Sequence, residues 1–327
     1  MFELDLRRIS DLQARRTRRI DAMPCSLPGR KPKIQHRGPM LPVGRPSGVS
    51  VPSPKVRTVL PFAPQVPPVV MPVSGSVYYS GRDAFTGPSP LYILGLNPGG
   101  DPVESAAHTV ASHLEDSATW TNNYSAYRDQ SWNGRPPGTA TMQPRVLHLL
   151  DRLGLDPGNV PSSNLVFARS AREATMPPDL MDAYADACWP FHASVIEMLQ
   201  VRVVLCFGQR AGWKARRQLN AHAEVGRFVE TYPNRSWTSR VHLSPNDVRI
   251  VTATHPSTAD WTEPAADVSG LVAAALASEV HEPPIPPSRP SATTPRLKPT
   301  RLEPTPPPAC TNPDCAQVNP VHPGECW

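Results

Sequence analysis

Residues 91–100, with the sequence LYILGLNPGG, predict a short buried β-strand that ends in a turn. The nearly continuous apolar run is typical of a strand that is covered on both faces. Pro98 fixes one backbone angle and removes a donor, while Gly99 and Gly100 can adopt conformations closed to other residues. Asn97 lies where the strand ends, and open α/β sheets bind their ligands at the carboxyl ends of strands. The same residue types are common in ordinary turns, so this stretch alone does not define a site.

Patterns typical of helices and strands alternate from this strand as far as residue 280. The apolar periodicity predicts helices over 101–115, 143–153, 178–199, 209–222 and 264–278, and strands over 164–168, 201–207, 225–231 and 248–254. This alternation predicts an α/β fold, a three-layer α/β/α domain with a mostly parallel central sheet. Residues 120–138 form a long polar and aromatic connection, and loops of that length are usually functional.

The 43 prolines of the 327-residue chain are concentrated toward its two ends. Composition therefore predicts a disordered, basic, proline-rich arm (1–76), a folded domain (77–280), a proline-rich linker (281–308) and a Cys/His tail (309–327). The first 60 residues carry a net charge of +9, whereas the whole chain carries +5. Attraction to nucleic acid would thus come largely from the arm, whose first 23 residues form either a basic helix or a solvated tail.

The chain shows no secretory signal pattern and no apolar run long enough to cross a bilayer. Its six cysteines are too sparse and uneven for the disulfide framework of a small secreted protein. We therefore expect a soluble, cytoplasmic and monomeric protein with reduced thiols and no membrane partner.

A second polar turn, HPS at residues 255–257, follows the last predicted strand. Parallel strands place their carboxyl ends at one edge of the sheet, so Asn97 and His255 can share a pocket despite their separation in the sequence. The second motif also has ordinary alternatives, His255 as a capping or hydrogen-bonded core histidine and Ser257 as the cap of the next turn. The two motifs in this order, each after an apolar strand, favour a shared site.

Together the two motifs resemble those of the uracil-DNA glycosylase superfamily. Residues 95–99, GLNPG, are similar to the family's first motif in its mismatch-specific and single-strand-selective classes. Residues 255–257 resemble the second motif in its His form. Residues 164–169, NLVFAR, look like the central strand that brings an Asn to the pocket in several classes. The resemblance covers roughly residues 77–280.

The resemblance implies hydrolysis of the N-glycosidic bond of uracil or a related damaged base in DNA, single-stranded or duplex, after base flipping. His255 would stabilise the negative charge on the leaving base, and Asn97 would orient the water. Asn164 would read the edge of the base, unless it is only a turn residue at the start of its strand. The other predicted substrate contacts are Gly95, Leu96, Pro98, Gly99, Pro256 and, for phosphate, Ser257. No cofactor is expected for catalysis.

The sequence departs from the family pattern at three points. One is that no cysteines surround the first motif as they do in the iron–sulfur classes, so no cluster is expected. Four aromatic residues compete for the role of the side chain that stacks on the base: Trp120, Tyr124, Tyr127 and Trp132. Residues 258–261, TADW, lack the usual Pro or Gly followed by an intercalating side chain. This leaves open a single-stranded substrate and, as the alternative function, a non-catalytic nucleic-acid-binding protein on the same fold. Hydrolysis of free nucleosides or nucleotides is a third reading, which the basic arm opposes.

The C-terminal tail contains Cys310, Cys315, His322 and Cys326. Thiolate and imidazole ligands of this number suit a tetrahedral structural zinc ion, in a unit that would resemble a zinc knuckle with looser spacing. The alternative is a tail with free thiols. A zinc unit there would add a contact to nucleic acid.

Overall fold

The computed structural model describes residues 60–232 and 235–278. The arm up to residue 59, the linker and the predicted zinc unit lie outside the described residues, so their assignments stay predictions. The described residues form six strands, which are β1 (Leu91–Gly95), β2 (Ser162–Asn164), β3 (Val203–Phe207), β4 (Ala223–Val229), β5 (Thr238–Leu243) and β6 (Arg249–Ala253). They make one sheet in the order β2-β1-β3-β6-β5-β4.

The sheet is mixed but mostly parallel. β2, β1, β3 and β6 run in the same direction, and β5 and β4 continue the sheet as an antiparallel hairpin. Every residue of β1, β3 and β6 is buried. The predicted α/β fold and the predicted edge strand over residues 225–231, which is β4, are both confirmed.

Helices cover both faces of the sheet. They are α1 (Val110–Ser117), α2 (Ala126–Asp129), α3 (Gln143–Arg152), α4 (Pro178–Met198), α5 (Gln209–Gln218) and α6 (Ser269–Ala277), with short 3-10 turns at Ala63–Gln65, Pro68–Val70, Arg82–Phe85 and Glu173–Thr175. Apolar side chains of α4 and α5 pack on one face, and those of α3 and α6 pack on the other. The two faces follow from the alternation of side chains along a strand: Tyr92 and Leu94 join the first layer, and Leu91 and Ile93 join the second.

The packed core begins before residue 77, the start that composition predicts. Leu60, Phe62, Val66 and Val70, predicted as part of the arm, are each at most 6% exposed. The Phe62 ring lies 6.2 Å, centroid to centroid, from each of two core phenylalanines. Prolines lie in the first turns of two 3-10 helices and give these apolar side chains an irregular spacing. That spacing matches neither the period of a helix nor the alternation of a strand, so the sequence pattern does not predict that these residues are buried.

The helix predicted over residues 101–115 is wrong in its first half. Asp101 caps a turn that ends near His108, and the carbonyl of His108 accepts a hydrogen bond from the N–H of Gly75 at 3.0 Å. This contact diverts the backbone from a helical path. The true cap is Thr109, whose hydroxyl accepts the N–H of the third residue of α1.

One strand prediction is wrong, and one strand is missing from the sequence prediction. β2 ends at Asn164, whereas the pattern predicts a strand that begins there. Asn164 is therefore not a turn residue at the start of a strand, since it lies at a carboxyl end. The strand β5 was not predicted, because its Thr, Ser, Arg and His residues dilute the apolar alternation. Beyond β2, residues 74–80 run alongside its outer edge through the bridges Gly75–Ala168 and Tyr78–Ser163.

In the part of the chain that the structure describes, no helix is both long enough and apolar enough to cross a membrane.

A buried histidine joins three elements behind the carboxyl end of β2. Nε2 of His192 donates to the carbonyl of Leu165 at 3.1 Å, and a carbonyl can only accept, so Nδ1 accepts from the Tyr92 hydroxyl at 2.7 Å. Burial lowers the pKa of His192 to about 3 from an ordinary 6.5, and it lowers the pKa of His113 to about 4. Both imidazoles are therefore neutral in the folded protein near neutral pH.

We expect the free energy of unfolding to fall as the pH drops from 6.5 toward 3, because His192 binds a proton in the unfolded state but not in the folded state over this range. The variant His192→Gln should be less stable at pH 7. The free energy of unfolding of the variant should then fall less steeply in acid than that of the wild type, by about 1.4 kcal/mol per pH unit across that window. Urea unfolding at a series of pH values measures both slopes, and equal slopes would contradict the assignment.

Candidate functional site

Asn97, Asn164 and His255 lie at one edge of the sheet, at the carboxyl ends of β1, β2 and β6. β1 and β6 both pair with β3, so Asn97 and His255 are two strand spacings, about 10 Å, apart across the sheet. Asn164 is level with Gly95 on the neighbouring strand. The structure thus brings together the three polar side chains of the predicted site.

The side chain of Asn97 is held by the residues that follow β2. Its Nδ2 donates to the Ser170 hydroxyl at 2.8 Å and to the Pro98 carbonyl at 3.0 Å. The Ser170 hydroxyl in turn donates to the carbonyl of Arg172 at 3.0 Å. Among the described residues no donor contacts Oδ1 of Asn97, so the amide oxygen is available to a ligand or a water molecule.

The turn that contains Asn97 is fixed from the same side. The Arg169 guanidinium donates to the Gly99 carbonyl, and the Ser170 N–H donates to the Pro98 carbonyl at 3.1 Å. Gly100 has φ of 105°, a left-handed conformation that a side chain would strain. Gly99 is exposed at this edge, so its backbone can be approached closely.

The hydrogen bonds of His255 determine its tautomer. Nδ1 accepts the N–H of Ser257 at 3.0 Å, and it lies 2.7 Å from the Ser257 hydroxyl. A backbone N–H can only donate, so Nδ1 carries no proton in the neutral ring and Nε2 carries it. His255 can therefore donate one hydrogen bond from Nε2. Ser257, predicted to meet phosphate, has its N–H committed to the imidazole.

The surroundings of His255 keep its imidazole neutral. Burial lowers the pKa of His255 below its ordinary value, and the Glu173 carboxylate offsets part of that shift. Glu173 also forms an ion pair with Arg210 at 3.4 Å. The ring of Phe207 meets the imidazole edge-on with centroids 6.0 Å apart. Beside it, Gly208 leaves space at the end of β3, where a Cβ would lie 3.7 Å from the imidazole.

Asn164 is buried and only partly satisfied. It is 7% exposed, and its Nδ2 has no hydrogen-bond partner among the described residues. Its Oδ1 lies so close to Gly95 that a Cβ on that glycine would approach it to 2.1 Å. A buried amide donor without a partner costs free energy, so an acceptor that reached Nδ2 would gain a hydrogen bond there. Gly95 therefore makes room for an amide whose donor is free for a ligand.

The turn after His255 is tied down at several points. Trp261 is fully buried against Phe207 with centroids 5.4 Å apart, and its indole N–H donates to the carbonyl of Thr254 at 3.2 Å. The Arg145 guanidinium donates a hydrogen bond to the carbonyl of the buried Pro256 at 2.6 Å and forms an ion pair with Asp260. None of these side chains extends outward from the turn as an apolar wedge.

The four aromatic candidates divide into two groups. Trp120 and Tyr124 contact each other at 4.2 Å, and Trp120 meets His113 at 5.3 Å. Tyr127 packs on Trp132 at 5.7 Å and on Phe207 at 6.4 Å. In the described structure, Tyr127 is thus linked to His255 through one intervening ring, on the face of the sheet that holds the α3 and α6 layer.

Sequence reasoning missed Ser170, Arg169 and Glu173 as parts of this site. Arg169 is the last residue of the NLVFAR segment and Ser170 follows it, so the resemblance of that segment to the family strand is the one available signal. Glu173 acts on His255 only through the folded structure, and nothing local marks it. Leu96, predicted to line the site, is 9% exposed and packs in the core layer of α4 and α5.

Within residues 60–232 and 235–278, no cluster of three or more His, Cys, Asp or Glu side chains could hold a metal ion. The predicted ligands Cys310, Cys315, His322 and Cys326 lie outside this part of the chain.

The fold defines an α/β protein with a candidate site at the carboxyl ends of parallel strands. No known family model matches the chain, and a search of curated proteins found no match. The assignment of function therefore depends on the residues and their geometry.

The imidazole of His255 should carry its proton on Nε2 at pH 7, with a pKa below 6.5. Glu173→Gln should lower this pKa further, because the carboxylate that raises it is removed. The control Glu197→Gln changes an exposed carboxylate at the end of α4 and should leave the pKa unchanged. Histidine ring ¹⁵N–¹H NMR across a pH titration reports both quantities. A proton on Nδ1 in the neutral ring would contradict the assignment.

Proposed function

We propose that the domain is a DNA glycosylase that hydrolyses the N-glycosidic bond of uracil or a related base in DNA. The observation that carries the proposal is the pair of hydrogen bonds from Ser257 to Nδ1 of His255. They place the proton of the neutral ring on Nε2, at the same sheet edge as the free amide oxygen of Asn97. One donor for a developing anion and one acceptor for water are the groups this reaction needs.

The donor from His255 serves the leaving base. When the bond between the sugar carbon and the base nitrogen breaks, its electron pair stays with the base and negative charge develops on a base oxygen. The Nε2–H of His255 donates to that oxygen without transferring its proton, because a neutral imidazole is a very weak acid. Removing one such donor from a preorganised site typically costs 10²–10³-fold in rate.

The acceptor from Asn97 serves the water. The water oxygen forms a new bond to the sugar carbon, and its surplus proton passes to solvent while the base anion is protonated. An amide oxygen is no general base, but a cation-like sugar needs a positioned water more than a strong nucleophile. Ser170 holds the amide so that Oδ1 is the free atom.

Asn164 supports uracil as the base. The edge of uracil offers one N–H donor between two carbonyl acceptors, and an amide side chain matches a donor and acceptor pair. The Nδ2 of Asn164 is buried and lacks a partner in the described structure. A uracil carbonyl in contact with Nδ2 would satisfy this donor, which gives the site a reason to prefer that base.

The test uses a labelled single-stranded oligonucleotide with one uracil, followed by alkali to cut abasic sites. We expect wild-type protein to cleave it, and Asn97→Ala and His255→Ala to lower the single-turnover rate by roughly 10²–10³-fold. Matched controls are Asn159→Ala and His222→Ala, which precede β2 and β4 and so lie at the opposite edge of the sheet. Equal losses in the controls would contradict the two roles.

A non-catalytic nucleic-acid-binding protein is the second candidate. The observation that favours it is the turn after His255, where Trp261 is buried and Asp260 is paired, so that no side chain there can open a duplex. Salt-sensitive DNA binding without cleavage of single-stranded uracil, duplex U·G or hypoxanthine substrates would establish this reading instead.

Gly95→Ala tests the placement of Asn164 without removing a polar group. The new Cβ would lie 2.1 Å from Oδ1, so the amide must move, and it is the flexible end of a side chain. We expect the fold to persist and the excision rate to fall at least about tenfold, as displaced site groups typically do. Gly87→Ala, where a Cβ meets nothing within 4 Å, should change neither. Thermal unfolding and the oligonucleotide assay give the two readouts.

A further inference from the structure

The hairpin between β4 and β5 carries a stack of three side chains. The Arg235 guanidinium carbon lies 4.2 Å from the centroid of Tyr232 and 4.1 Å from that of Trp237. Tyr232 packs on the core layer of α3 and α6, whereas Trp237 is 38% exposed. The Trp237 ring is therefore accessible to solvent and packs against Arg235.

A buried carboxylate holds this stack in place. The Glu230 side chain is fully buried, and its Oε2 lies 3.2 Å from a terminal nitrogen of Arg235. The N–H of Glu230 donates to the carbonyl of Trp237 at 2.8 Å, which closes the hairpin at the same level. The ion pair holds Arg235 and the backbone hydrogen bond holds Trp237, so both lie in place at the end of the hairpin before any partner binds.

The stack lies at the same edge of the sheet as the candidate site. β5 runs antiparallel to β6, so it begins at the edge where β6 ends. The register pairs Arg240 with Thr252, and continuing it places Trp237 level with His255 on the neighbouring strand. The Ser239 hydroxyl, which accepts the N–H of Thr254 at 3.1 Å, keeps the two strands together at this level.

We propose that Trp237 is a base-stacking platform for single-stranded DNA, which receives a base next to the one that enters the site. An exposed indole offers a flat apolar face, and stacking on such a face tolerates any base. Arg235 behind the ring supports it through a cation–π contact. The partner is single-stranded because the bases of a duplex already stack on each other. The proposed glycosylase function supports the choice of DNA.

This role also fits the turn after His255. That turn presents no exposed apolar side chain, since Trp261 is buried. The exposed tryptophan one strand away then supplies the aromatic contact with an unpaired base. A protein that stacks on bases already unpaired needs no wedge.

The test measures the Kd of full-length protein for a labelled oligo-dT without uracil, by fluorescence anisotropy. We expect Trp237→Ala to weaken binding by roughly 5- to 150-fold, and Trp237→Phe to retain most of it. The dependence of log K on log salt should keep its slope, because no phosphate contact is lost. The matched control is Trp213→Ala on α5, a tryptophan that is 42% exposed with Arg217 4.8 Å from its ring.

A Trp237→Ala protein that binds within twofold of wild type would overturn the inference. So would an equal loss in Trp213→Ala, an equal loss on a duplex of the same sequence, or no binding by wild type. Thermal unfolding shows that each variant is folded. The test is separate from that of catalysis: Trp237-dependent binding without uracil excision keeps the platform and rejects the glycosylase. Excision with unchanged binding in Trp237→Ala does the reverse.

Discussion

The parallel pairing of β1, β3 and β6 places Asn97 and His255, the two central groups of the candidate site, at the same end of the sheet. Because the three buried strands share one direction, the turns that follow them meet at one edge of the sheet, with Asn97 and His255 on either side of β3. The antiparallel pairing of β5 with β6 returns the hairpin with Trp237 to the same edge. A single reversed strand would move one of these groups to the far side of the domain.

Two serines orient the polar groups that the strand directions bring to this end of the sheet. Ser257 sets the tautomer of His255 through its N–H and its hydroxyl. Ser170 orients the Asn97 amide through its hydroxyl, and its N–H holds the neighbouring Pro98 carbonyl. Both polar groups are thus oriented by the protein itself, which avoids the cost of ordering them when a substrate binds. The same arrangement explains why His255 is neutral: protonation of Nδ1 would oppose the N–H of Ser257 in addition to the cost of burial.

The sequence was informative where one physical signal dominated. Apolar runs identified β1, β3 and β6, and strand direction then placed Asn97 and His255 together. Ser170 and Glu173 reach the site only through tertiary contacts, which no local pattern encodes. The prolines of residues 60–76 predict disorder, although apolar side chains of this segment fill the core. The pattern places Asn164 at the wrong end of its strand, because the apolar residues after it still hydrogen bond to Gly95 and Leu96 without being part of β2.

The two outermost strands of the sheet, β2 and β4, affect how copies of the chain can associate. Unpaired strand margins invite foreign strands to add to a sheet, which is a route to aggregation. The segment over residues 74–80 covers the outer side of β2. On the other side, β4 has an irregular register between Glu224 and Gly226, and Glu224 forms ion pairs with Arg227 and Arg240. Neither outer strand of the described sheet therefore offers a flat, uncharged surface to which another strand could pair. The domain can thus expose apolar Val225 and Val229 on β4 with little risk of aggregating through added strands.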